Sequence, residues 1–178
     1  ATGRYEKAGV VATDSPSMDI EISSNFERYL FDLLGRDSAQ LTRIMQGFKD
    51  SGHFELPATL MDTARAQFRA FRANDDDTLA VIQSIHDDTG YVLDPHTAVG
   101  MRGALTLAEE HGYSDAAPVV SLACAHPAKF PDTIDAAIGL HPTAPALEKL
   151  KALPSVSYPL PADKEAIRAF IEEHVPKA

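Results

Sequence analysis

The run Pro118-Val119-Val120-Ser121-Leu122-Ala123 constrains the fold more than any other stretch of this chain. It is short, apolar and β-branched, the signature of a strand buried on both faces. Strands of that kind belong to parallel sheets covered by helices. The flanking periodicity agrees. Leu79, Ile82 and Ile85 share one helical face, and Asn74 followed by Asp75-Asp76-Asp77 supplies a cap and a dipole-favoured first turn. Gly90 closes that helix, and Tyr91-Val92-Leu93 reads as a short strand. Ala98, Met101, Leu105 and Ala108 then line a second helix, closed by Gly112. Pro131 opens a third helix at its first position, with Ile134, Ala137 and Ile138 inward. A proline-interrupted helical turn over 146–153, a final strand or extended piece over 155–160 and an amphipathic helix over 163–175 complete the chain.

The order helix, strand, helix, strand, helix predicts an α/β fold with parallel pairing. The strands signalled are too few for a closed sheet, so the expectation is an incomplete parallel sheet flanked by helices. Its remaining strands would come from an upstream part of the protein or from another chain. An unpaired edge of this kind invites self-association. Residues 1–73 read differently. Val10-Val11-Ala12 suggests a short strand, and Ser24 with Glu27 suggests a capping box. Three helical stripes follow: Phe26 to Leu34 ended by Gly35, Leu41 to Phe48 ended by Ser51-Gly52, and Leu60 to Phe68. The organisation expected is one domain over 1–178, mostly helical over 1–73 and α/β over 74–178, with its best hinge near Arg72 to Asn74.

Composition excludes several functions. The chain has 178 residues and a net charge of −10, which disfavours a sequence-independent grip on nucleic acid or an anionic membrane. No apolar run is long enough to span a bilayer, and the first residues lack signal-peptide architecture. The single cysteine rules out an internal disulfide framework and points to a reducing, cytoplasmic setting. The chain starts at Ala1 without a methionine, as a fragment or a processed product would. No metal site is expected: the histidines show no ligand spacing with the cysteine, and consecutive Asp75, Asp76 and Asp77 diverge around their helix.

Open parallel sheets bind ligands beyond the C-terminal ends of their strands. Two loops qualify, Asp94-Pro95-His96-Thr97 and Cys124-Ala125-His126-Pro127-Ala128-Lys129. His126 either orients a substrate phosphate or shapes the turn before Pro127. Lys129 either attracts a phosphate as a point charge or sits on the surface. His96 and Thr97 either line the pocket or serve the helix that follows, where capping by Asp94 or Thr97 is the simpler account.

The second loop resembles a threonine synthase motif, a strand ending in Thr-Ala-His-Pro-Ala-Lys-Phe. Here the string is Cys124-Ala125-His126-Pro127-Ala128-Lys129-Phe130. Two further blocks match in the same order: Ser17-Met18-Asp19-Ile20 through Ser23-Ser24-Asn25-Phe26-Glu27-Arg28, and Gly90-Tyr91-Val92-Leu93-Asp94-Pro95-His96-Thr97-Ala98-Val99. The resemblance covers essentially the whole chain and the C-terminal, lesser part of the family's sequence.

That resemblance implies the C-terminal portion of a fold-type-II pyridoxal-phosphate enzyme. Threonine synthases convert O-phosphohomoserine and water into threonine and phosphate, a β,γ-replacement in threonine biosynthesis. It implies that Cys124 stands beside the cofactor's ring nitrogen, where the family has a threonine hydroxyl, with a thiol as the weaker hydrogen-bond partner. His126, Lys129, His96 and Thr97 fall in the substrate or phosphate vicinity. The Schiff-base lysine and the Gly-rich phosphate cradle lie upstream in the family, so no catalytic residue is expected in this chain and no covalent cofactor. The chain alone is expected to be inactive and to need the upstream half. Phe48-Lys49-Asp50 mimics the context of the Schiff-base lysine, but Lys49 falls on the polar face of a helix that ends at Ser51-Gly52. Two other functions fit the same residues: a threonine-synthase-like phospho-lyase acting on a related phosphorylated amino alcohol or homoserine, and a non-catalytic standalone interaction module.

Overall fold

The helical stripes form helices close to their expected bounds. The computed structural model describes residues 2–112 and 117–175. In chain order its elements are β1 (Arg4–Glu6), α1 (Phe26–Leu33), α2 (Ser38–Ser51), β2 (His53–Glu55), α3 (Ala58–Gln67), α4 (Asp75–Thr89), α5 (Pro95–His111), α6 (Pro131–Ile138), α7 (Pro145–Lys151) and α8 (Lys164–His174). Short 3-10 turns lie at Pro16–Met18 and Pro127–Lys129. The chain divides into two compact units, 1–142 and 143–178.

Within the first unit, two apolar clusters form. One is aromatic. β1 and β2 pair antiparallel with Tyr5 opposite Phe54. The Tyr5 ring packs on Phe26, Phe48 and Phe54 at centroid distances of 5.7, 5.2 and 5.2 Å. Leu30, Phe48 and Phe54 are the buried residues of this cluster. The other cluster is aliphatic and joins α4, α5 and α6 through Val81, Ile82, Leu93, Ala98 and Ile134. Ile82 and Ile134 are fully enclosed, each contributing about 1.5–3 kcal/mol by leaving water.

Local chemistry sets the helix ends. Asn74 and Asp77 form a reciprocal capping box at the start of α4. Gly90 ends that helix at φ 73°, where any side chain would be strained. At α1 the expected box between Ser24 and Glu27 is replaced. Asn25 enters the helix already in helical geometry with no side-chain cap, and the Phe26 amide donates to the Ser23 carbonyl instead. Residues 72–74 lie inside the first unit. The chain ahead of them is fastened to α5: Phe71 lies against Gly103, where an added Cβ would come within 3.2 Å of the ring, and Arg69 pairs with Glu110 at 2.7 Å.

Among the described residues β1 and β2 are the only strands, and their pairing is antiparallel. The runs at 10–12, 91–93, 118–123 and 155–160, expected as strands, form no ladder. A parallel strand needs hydrogen-bonding neighbours and cover on both faces. Here Val120 and Leu122 remain 78% exposed, with no strand alongside among the described residues. The second unit has its own small cluster. Asp163 caps α8 by accepting from the Ala166 amide at 2.9 Å, and the rings of Tyr158, Phe170 and His174 pack together.

Candidate functional site

The start of α5 and the loop after residue 123 meet on one carboxylate, that of Asp94. This side chain is 2% exposed. Its Oδ1 accepts from the backbone amides of His96 and Thr97 at 3.0 and 3.4 Å and from His96 Nδ1 at 3.0 Å. Its Oδ2 accepts from the Thr97 hydroxyl and, across the fold, from the Ala125 amide at 3.1 Å. Thr97 Oγ1 in turn accepts from the Cys124 amide at 2.9 Å. Both backbone amides at the head of the loop are thus held by side chains of the α5 N-terminus. Burial alone would push the Asp94 carboxyl up. The hydrogen bonds from Thr97, the Ala125 amide and His96 outweigh it and hold the group below the ordinary carboxylate value.

His96 extends the same network in a third direction. Its Nε2 accepts from the Ser17 amide at 3.1 Å, so the ring proton sits on Nδ1, which donates to Asp94. The ring lies 4.8 Å from that of Phe130, centroid to centroid. Ser17 lies in a turn braced by Asp19, whose carboxylate accepts from the Thr13 amide and hydroxyl, both at 2.7 Å. The three sequence blocks singled out above, at Ser17, Asp94 and Cys124 to Phe130, therefore converge on one buried pair, Asp94 and His96.

The candidate residues divide by exposure. His96 and Thr97 are buried at 4% and 5%. Cys124, His126 and Lys129 are exposed on the loop. Cys124 Sγ donates to the Leu122 carbonyl at 3.5 Å. His126 caps the following turn, its Nδ1 accepting from the Ala128 amide at 3.1 Å. Lys49 lies exposed in the last turn of α2. Just before the loop, Ser121 Oγ is buried without a partner among the described residues, and it lies 3.4 Å from where a Cβ on Gly100 would be. The run into the loop therefore crosses α5 at a glycine. No group of three metal-ligating side chains lies together among the described residues.

The comparisons with known proteins point one way. The family model "Threonine synthase, C-terminal" matches residues 97–171. The threonine synthase of Pseudomonas aeruginosa is 38% identical over 173 residues, 96% of this chain and 36% of that protein. That of Methylobacillus glycogenes is 37% identical, over 98% of this chain and 37% of its own length. The chain corresponds to the C-terminal part of threonine synthase. The crystal structure of pyridoxal-phosphate-bound threonine synthase from Brucella melitensis superposes with a TM-score of 0.72 at 49% identity, covering 82% of this chain and 30% of that one. The yeast enzyme superposes with a TM-score of 0.77 at 31% identity, over 97% of this chain and 38% of its own. The chain thus spans little more than a third of the curated relatives it matches. These likenesses place it in the α/β, fold-type-II architecture of threonine synthase.

Asp94 is the residue whose reach the sequence understates. The spacing Asp94-Pro95-His96-Thr97 signals a helix cap, and the cap forms. Nothing in the sequence marks Cys124 and Ala125 as two further donors to the same cluster, nor Ser17 as a donor to His96. Those bonds join positions 27, 31 and 79 residues apart.

Proposed function

We propose that this chain is the C-terminal part of a pyridoxal-phosphate-dependent threonine synthase and that residues 124–130 form one wall of its cofactor and substrate site. The observation that carries the reading is the seating of that loop. Its first two amides are tied to Thr97 and Asp94, which presents Cys124, His126 and Lys129 outward together. The donor set fits one face of such a cofactor. A thiol stands first, an imidazole and an ammonium follow, and residues 124–130 contain no carboxylate.

When bound, pyridoxal phosphate supplies the electron sink that lets a proton leave the amino-acid carbons and phosphate depart. The residues of this chain would do narrower work. Cys124 would lie beside the ring nitrogen as a weak, neutral partner, leaving that nitrogen without a full proton. Lys129 would draw the substrate's phosphate as a point charge, and His126 would sit at its edge. Neither a Schiff-base lysine nor a phosphate cradle is assigned to this chain, so turnover would need the upstream half.

The test is direct. The complete protein, supplied with pyridoxal phosphate and O-phospho-L-homoserine, is expected to release phosphate and threonine in equal amounts. The 178-residue chain alone is expected to give no borohydride-fixed adduct at a single lysine. Phosphate release with a keto acid and no threonine would replace the reading with a phospho-lyase. A stoichiometric adduct at Lys49 would overturn the incomplete-site reading outright.

A further inference from the structure

We propose that Asp94 and Thr97 are positioning residues for the reaction assigned above, setting where Cys124 stands; this rests on the reading of residues 124–130 as a wall of the site. A helix cap needs only to satisfy the free amides of its own first turn. Asp94 does that with one oxygen, Oδ1, which takes the amides of His96 and Thr97. Its second oxygen takes the Thr97 hydroxyl within the same turn and, across the fold, the Ala125 amide. A cap alone leaves the bond to Ala125, and that from Cys124 to Thr97, unaccounted for.

The Thr97 hydroxyl makes the arrangement directional. It has one proton, and that proton is committed to Asp94. Its oxygen, with its lone pairs free, accepts from the Cys124 amide. With Asp94 ionised, the hydroxyl proton is held on the carboxylate and a lone pair is kept toward Cys124. Removing the charge frees the hydroxyl to turn, which weakens its hold on the Cys124 amide. Among the described residues Cys124 and Ala125 belong to no strand ladder, and these two bonds tie the loop to the head of α5. His96 carries the same seat to the Ser17 turn through its Nε2. The side chain that meets the ligand is Cys124; Asp94 and Thr97 act through it.

Three substitutions test the proposal. Thr97→Val keeps the shape and removes the hydroxyl, Thr97→Ser keeps the hydroxyl, and Asp94→Asn keeps the size and removes the charge. Amide hydrogen exchange is read at Cys124 and Ala125 against core amides of Ile82 and Ala98. Thr97→Val is expected to speed exchange at Cys124 about tenfold relative to the core amides, the worth of one hydrogen bond, with Thr97→Ser close to the parent. Uniform acceleration at all four amides, or none at Cys124, would overturn the proposal, because either outcome describes a merely structural cap. In the complete protein loaded with pyridoxal phosphate, Thr97→Val and Asp94→Asn are expected to alter the visible circular dichroism of the cofactor. They are also expected to lower kcat at least tenfold while KM moves less than threefold, and Thr97→Ser is expected to restore both. A lower melting temperature with unchanged dichroism and kcat would overturn the positioning role. An absent cofactor band in the parent protein would instead overturn the wall reading, while the exchange measurement still separates latch from cap.

Discussion

The α4–α5–α6 core and the run at residues 118–123 draw on the same kinds of side chain and meet opposite fates. Val81, Ile82, Ala98 and Ile134 are almost completely buried, whereas Val120 and Leu122 are each 78% exposed. The difference is not in apolarity but in whether a complementary face exists. The helices offer their stripes to one another. The 118–123 run has α5 on one side, at Gly100, and no strand beside it among the described residues. Its far end is nevertheless held firmly, by polar bonds from Thr97 and Asp94. Hydrophobic burial secures the scaffold, and a charged cap secures the loop that bears the candidate chemistry.

The comparison can be broken at several points. The largest effect is expected from Ile82→Ala, which should cost about 2–5 kcal/mol in denaturant unfolding because the enclosed site cannot collapse around the cavity. Asp94→Ala should follow at about 3 kcal/mol, since it strands several buried donors at once. Its pH dependence has a definite sign. The Asp94 carboxyl is held below its ordinary value, so its stabilisation is complete above an unfolded pKa of about 3.9 and is lost as pH falls through the lower folded value. An acid titration of stability in Asp94→Asn should lack that component, and an unchanged acid limb would remove Asp94 from the account. Asn74→Ala should cost about 1 kcal/mol by opening the α4 capping box, with melting as the readout.

Two smaller effects sharpen the contrast at the run itself. Ser121→Ala should stabilise the chain by up to about 1 kcal/mol, because the hydroxyl is buried without a partner among the described residues. Leu122→Ser should change the stability of the chain by no more than about 0.5 kcal/mol, since the side chain is already solvated. A loss of several kcal/mol in that variant would mean the run is covered by other copies of the chain in solution.

Much of this was legible in advance for particular reasons. The ends of α2, α4, α5 and α6 follow from Gly52, Asn74, Gly90, Asp94, Gly112 and Pro131, because caps and breakers act within a few residues of themselves. The aliphatic and aromatic clusters follow from stripes at helical spacing. The Ser24–Glu27 box does not form because Asn25 enters the helix directly and the Phe26 amide turns to the Ser23 carbonyl. The strands at 91–93, 118–123 and 155–160 did not form ladders because a ladder depends on a second strand, which no local signal guarantees. The threonine synthase likeness rests on short ordered motifs, which are read from the sequence without knowing how the chain packs.

What the sequence determined by itself, then, is everything carried by neighbours along the chain: the helices, their caps, the family, and the loop in which Cys124, His126 and Lys129 stand. Only the tertiary structure decided that His96 and Thr97 face inward as bonding partners while those three face out. It alone brought the Ser17 and Ala125 amides to the buried Asp94–His96 pair. The physical reason is range: propensity and capping are settled over a few residues, whereas a buried carboxylate takes its donors from whatever distant backbone the packing of α4, α5 and α6 delivers to it.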